Sequence, residues 1–176
     1  MVLTTAVIVL TVVVLIDLLL SAAIIRRLRD TEAHLADLMP SAQPGLKTGT
    51  PMPDFTSADG SLTRAALAGT PVIFGFFSTG CRYCPTQAEQ LAHRAAEIAE
   101  RGLRVINVVA INDESIPDDI TPVLEKSGTV VAEQGMDNLM AAFSVTSTPT
   151  FLLYDGRGTL IAKGNHLEET LERWIQ

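Results

Sequence analysis

The sequence predicts an α/β domain, a mixed sheet flanked by helices, preceded by one N-terminal transmembrane helix. Three observations predict it. Val72–Phe77 is a continuous apolar run of the length expected for a strand buried on both faces, and Val105–Ile111 reads as a second buried strand. Between them Ala88, Leu91, Ala95, Ile98 and Ala99 recur at helical spacing. Residues Val2 to Ile25 are apolar or small apart from Asp17 and the hydroxyl residues Thr4, Thr5, Thr11 and Ser21, and about 20 such residues span a bilayer as a helix.

The N-terminal run accounts for the high mean hydropathy of +0.28. A cleaved signal peptide is the competing reading, with Ser21-Ala22-Ala23 as a weak cleavage site. It fits less well, because no Lys or Arg precedes the run and the run exceeds a usual signal-peptide core. Arg26, Arg27 and Arg29 close the segment, and Leu28, Leu35, Leu38 and Met39 carry helical periodicity beyond it. Residues 1–39 are therefore expected to form the anchor helix and its juxtamembrane extension. Asp17 at mid-span costs about 2.5–3.5 kcal/mol on insertion scales, which the surrounding Leu, Ile and Val offset. Tolerance as a protonated or interface-facing residue is favoured over pairing with a partner helix.

Residues 40–51 hold Pro40, Pro44, Pro51, Gly45 and Gly49, the composition of an extended linker. Residues 52–176 are expected to be globular. Ser61–Leu67 reads as a short helical turn ended by Gly69, and Gly102 stops the long helix that follows Pro85. Asn112–Lys126 is acidic and less regular, with Pro117 and Pro122 as breakers. Thr129–Ala132 reads as a short strand and Met136–Phe143 as a helix. Thr150–Tyr154 and Thr159–Lys163 are strands joined by Asp155-Gly156-Arg157-Gly158, a hairpin signal, and His166–Trp174 is a closing helix. Alternating elements give a mostly parallel sheet, to which the hairpin adds an antiparallel edge.

The formal net charge is −7, and an acidic chain without a basic stripe argues against nucleic acid as a partner. The acidic run Asp113, Glu114, Asp118, Asp119 lacks calcium-loop spacing and reads as solvated surface. Trp174 and the phenylalanines read as core.

The chemistry centres on Cys81-Arg82-Tyr83-Cys84-Pro85. The strand ending near Phe77 delivers Cys81 to the start of a helix, where unpaired N–H groups and the macrodipole favour a thiolate over a thiol. Arg82 adds a positive charge beside it. Cys84, almost one turn on, is placed to close a disulfide with Cys81, and Pro85 is tolerated at an early helical position. Two other readings stand beside redox chemistry: half of a metal site, or incidental thiols. Zinc normally takes four ligands, and His34, His93 and His166 do not stand at ligand spacing from the pair. No metal site is expected.

Asp54-Phe55, Asp59-Gly60, Leu67, Gly69, the VIFGFF strand into CRYCP, and Thr148-Pro149-Thr150 together resemble the membrane-tethered thioredoxin-like reductases of the TlpA and ResA kind, over roughly residues 50 to 175. The resemblance implies a thioredoxin-like fold and a cis peptide bond at Pro149. It also implies that Thr148 and Pro149 lie against the cysteines and dock an extended client chain. A looser resemblance links the chain to the thioredoxin-like accessory protein of methylamine dehydrogenase maturation. It rests on the N-terminal anchor with its arginines, a Ser-rich approach to the cysteines, and Ala162-Lys163-Gly164. Two positions depart from thioredoxins: Gly75 stands where they carry a buried acid, and Gly80 where they carry Trp. With no acid at 75, a proton relay to Cys84 falls to water or to another group such as Glu114.

The sequence thus predicts a membrane-anchored thiol–disulfide oxidoreductase with Cys81 and Cys84 as catalytic pair, Thr148 and Pro149 as docking element, and Arg82 tuning the thiol. It needs no dissociable cofactor. Its expected partners are exported proteins with disulfides, and a membrane electron donor if it works reductively. The alternatives are a copper or other metal chaperone using the same thiolates, and an interaction subunit for which the cysteines are dispensable. Arginines on the C-terminal side of the span would place the domain in the cytoplasm. The resemblance, and the need for oxidised clients, favour the outer face of the cytoplasmic membrane, with the chain crossing once.

Overall fold

Five strands build the sheet of the computed structural model, which describes residues 46–113, 115–135 and 138–175. They are β1 (Val72–Ser78), β2 (Arg104–Ile111), β3 (Thr129–Gln134), β4 (Thr150–Tyr154) and β5 (Leu160–Gly164), in the spatial order β3-β2-β1-β4-β5. β1 runs parallel to β2, and β2 parallel to β3. β4 is antiparallel to β1 and to β5. The predicted hairpin is therefore present, and the sheet is mixed.

Every residue of β1 is buried, as expected of a central strand covered on both faces. Alternate residues enter separate cores. Val72, Phe74 and Phe76 join Phe55, Phe143 and Tyr154 on one face, where aromatic rings meet in tilted and edge-on pairs 4.7–6.1 Å apart. Ile73 and Phe77 pack on the other face with Cys84, Ala88, Leu91 and Leu171. Trp174 lies partly buried against that second core.

The helices are α1 (Cys84–His93), α2 (Ala95–Glu100), α3 (Thr121–Leu124), α4 (Leu139–Ala142) and α5 (Leu167–Ile175), with a 3-10 turn at Arg64–Leu67. Several boundaries differ from expectation. The long helix expected after Pro85 is divided at Arg94, whose guanidinium pairs with Glu97 at 2.9 Å and reaches Glu168 on α5 at 2.6 Å. Pro122, read as a breaker, instead sits in the first turn of α3, where a missing N–H costs nothing. The helix expected at Met136–Phe143 is confined to α4, and Met136 and Asp137 lie outside the described residues.

Among the described residues no helix is long and apolar enough to cross a membrane. The predicted span, Asp17, His34 and Glu114 lie outside the described residues.

Candidate active site

The site forms where β1 ends beside the start of β4. Phe76 pairs with Thr150 in the antiparallel β1–β4 ladder, so continuing that register sets Ser78 opposite Thr148. The two hydroxyls meet at 2.7 Å. Beyond β1 the chain turns sharply. Gly80 takes a φ of +76°, a left-handed conformation that glycine adopts without a Cβ penalty, and the Cys81 N–H donates to the Ser78 carbonyl at 3.2 Å.

The Cys84 N–H donates to the Cys81 carbonyl at 3.3 Å, and the pair is joined as a disulfide with Cα atoms 5.4 Å apart, inside the range such bonds need. The helix begins at Cys84 rather than Cys81, so Cys81 stands in the turn ahead of the helix with its sulfur linked to the first helical residue. Burial separates the two cysteines. Cys84 is fully buried in the core, while Cys81 is half-buried at the surface. Arg82 and Tyr83 are exposed, so the Arg82 charge acts on Cys81 through solvent, where screening weakens it.

The Thr148–Pro149 peptide bond is cis, as the resemblance implies, and Pro149 is buried. The Thr148 carbonyl oxygen lies 3.5 Å from Cys81 Sγ. A disulfide sulfur carries no proton, so this is a contact in the oxidised state; a Cys81 thiol would find a hydrogen-bond acceptor there. Asn165 donates to the Pro149 carbonyl at 3.0 Å, and Thr150 Oγ1 to the Ser147 carbonyl at 2.7 Å. The segment opposite the cysteines is thus held by Ser78 from β1 and by Asn165 after β5. Neither residue stands out in the sequence, since both act through a register between strands distant in the chain.

Gly75 leaves no room for an acid. A Cβ there would lie 2.7 Å from the Phe77 ring and 3.1 Å from Asn107 Oδ1. The polar side chain at this place comes from β2: Asn107 is fully buried, and its amide donates to the Leu124 carbonyl at 3.1 Å and to Ser127 Oγ at 3.0 Å. Its Oδ1 finds no partner among the described residues. An Asn interrupting the run Val105–Ile111 was the available signal, because a polar residue in an otherwise buried strand needs a reason.

Among the described residues no three His, Cys, Asp or Glu side chains gather to hold a metal ion, and His93 and His166 are exposed.

A five-stranded mixed sheet, a Cys-x-x-Cys disulfide at the start of its first long helix, and a cis-proline segment against the outer sulfur define a thioredoxin-like thiol–disulfide oxidoreductase. The chain belongs to the AhpC/TSA family, whose model matches residues 48–163. Solved structures share the fold. The thioredoxin domain of a thiol-disulfide oxidoreductase from Bacteroides vulgatus is 20% identical over 74% of this chain and 99% of that one, with a TM-score of 0.57. A secreted Mycobacterium tuberculosis disulfide oxidoreductase homologous to E. coli DsbE is 19% identical over 71% of this chain and 96% of that one, at 0.54. A thiol:disulfide interchange protein from Chlorobium tepidum is 22% identical over 73% of this chain and 94% of that one, at 0.53. No curated protein matches the chain.

Proposed function

We propose that the protein is a membrane-tethered oxidoreductase that reduces or exchanges disulfides in exported proteins, with Cys81 as nucleophile and Cys84 as resolving thiol. The supporting observation is the asymmetry of the pair: one half-exposed sulfur bonded to one fully buried sulfur, beside the Thr148 carbonyl. Only the outer sulfur meets a client. In the reductive direction, the Cys81 thiolate attacks one sulfur of a client disulfide. The client S–S bond breaks, one client cysteine leaves as a thiolate, and a Cys81–client bond forms. Cys84 then loses its proton and attacks the Cys81 sulfur, and the second client thiolate departs. The client gains two electrons and the protein ends in the bonded state. Run backwards, the same steps oxidise a client.

The position of Cys81 ahead of α1 favours its thiolate, and Arg82 adds to this through solvent. Thr148 and Pro149 serve as the docking element, the Thr148 backbone pairing with an extended client chain. Turnover in the reductive direction requires a dithiol donor, which for a tethered domain outside the cytoplasm is a membrane protein. Donor and client set the direction of flow.

Replacement of Cys84 by Ser tests the reading. The expected result is a stalled mixed disulfide between Cys81 and an exported protein, released by dithiothreitol and absent from the Cys81→Ser protein. No trapped protein, together with one equivalent of copper bound by the reduced wild type, would replace this reading with the metal-chaperone one.

A further inference from the structure

The exposed large apolar side chains among the described residues are Tyr83, 67% exposed, and Ile116, 37% exposed. Both lie at the cysteine motif. Tyr83 is part of it. Ile116 arrives from the loop between β2 and α3, and its Cδ1 sits 3.1 Å from where a Cβ on Gly80 would be. This placement is anchored twice. The Asn112 N–H donates to Thr79 Oγ1 at 3.2 Å, fixing the start of the loop to the residue before Gly80. The Ile116 N–H donates to the Asp113 carbonyl at 3.1 Å, and the Ser115 N–H to Asp113 Oδ1 at 2.8 Å, closing the turn that presents Ile116.

An isoleucine left partly in water against Gly80, the residue before Cys81, gains free energy when a partner covers it. We infer that Ile116, with Tyr83, is a specificity-determining contact for the client. It selects extended segments that carry an apolar residue next to the half-cystine and a basic residue beyond it. The apolar preference follows from the two exposed apolar side chains, Tyr83 within the motif and Ile116 against Gly80. The basic preference follows from the same loop, whose Asp113, Asp118 and Asp119 are all exposed in a chain of net charge −7; the exposed cation Arg82 belongs to the motif itself. The inference rests on the proposed disulfide exchange.

The test uses the full-length reduced protein in detergent and two disulfide-linked peptide dimers, one with Leu and Lys beside its half-cystine, the other with Ser and Glu. A small aromatic disulfide, 5,5′-dithiobis(2-nitrobenzoate), provides the reference rate. The wild type is expected to favour the Leu/Lys peptide through KM. Ile116→Ser is expected to lower that preference roughly tenfold, the scale of a lost apolar contact, when normalised to the reference rate. Ile116→Leu is expected to restore it, and Tyr83→Ser gives an independent loss at a side chain exposed to solvent. Equal KM values for the two peptides with wild type would overturn the inference, as would an unchanged preference in Ile116→Ser. An equal fall of peptide and reference rates would overturn it too, by making Ile116 a support of Cys81. A wild type inert even to the small disulfide would instead overturn the exchange reading beneath it.

Discussion

Tyr154 holds a fully buried hydroxyl that finds no partner among the described residues, and burial pushes its ionisation far above the ordinary phenol range. Its ring earns the position by packing edge-on against Phe74 at 6.0 Å, while its oxygen opposes burial, since an unpaired hydroxyl in an apolar place costs free energy. Tyr154→Phe keeps the ring and deletes the oxygen. It is expected to leave disulfide exchange unchanged and to raise stability by about 1 kcal/mol, read as a higher urea midpoint with unchanged slope. A loss of stability of that size would mean that the hydroxyl has a water partner. At this scale the cysteines were legible because CxxCP is a local pattern, whereas Thr-Pro by itself is only a turn signal and the cis bond at Pro149 followed from the resemblance. Ser78, Asn165 and Ile116 were not legible, because each gains its role from a neighbour more than thirty residues away or, for Asn165, from the Pro149 carbonyl just ahead of β4.

The turn between Ser57 and Leu62 is an element held by one carboxylate. Asp59 accepts from Ser57 Oγ and from the Ser61 N–H at 3.1 Å, and Ser57 Oγ in turn accepts from the Leu62 N–H at 2.9 Å. Those hydrogen bonds, the Ser57 one foremost, lower the Asp59 pKa from 3.8 to about 2. A depressed acid contributes stability that is complete above its unfolded pKa and lost as pH falls through its folded one. The contribution of Asp59 should therefore fade between pH 3.8 and about 2. In Asp59→Asn, thermal midpoints measured across that interval should fall less steeply than in wild type. Parallel profiles would remove Asp59 as the cause. Asp-Gly marked this turn in the sequence, just as an unbroken apolar run marked β1 and a largely apolar one marked β2. The start of α1 at Cys84 and the short α3 were less legible, because a proline in a first helical turn and a proline that breaks a helix look alike until packing decides. The antiparallel pairing of β4 with β1 is non-local, and no window of sequence contains it.

For the whole molecule, the question is what residues 1–39 do to a domain whose chemistry lies in its folded part. The apolar run Val2–Ile25 would measure about 36 Å as a helix, against a hydrocarbon core of about 30 Å. Asp17 alone cannot cancel a run so rich in Leu, Ile and Val. The Cys81–Cys84 site draws its described hydrogen bonds from residues 78–165 and its core packing from residues 73–171. Tether and chemistry should therefore separate. The full chain is expected to sediment with membranes and to resist alkaline carbonate, whereas a chain lacking residues 1–39 should be soluble and reduce a small disulfide at the full-chain rate. A full chain released by carbonate would refute the span. A truncated chain that is folded yet inactive would refute the separation. Two arguments oppose each other over the orientation of the proposed span: Arg26, Arg27 and Arg29 favour the cytoplasmic side for the domain, while a need for oxidised clients favours the outer face. An alkaline phosphatase fused after Gln176 is active only outside, so activity of that fusion is the expected result, and an inactive but stable fusion would assign the domain to the cytoplasmic face.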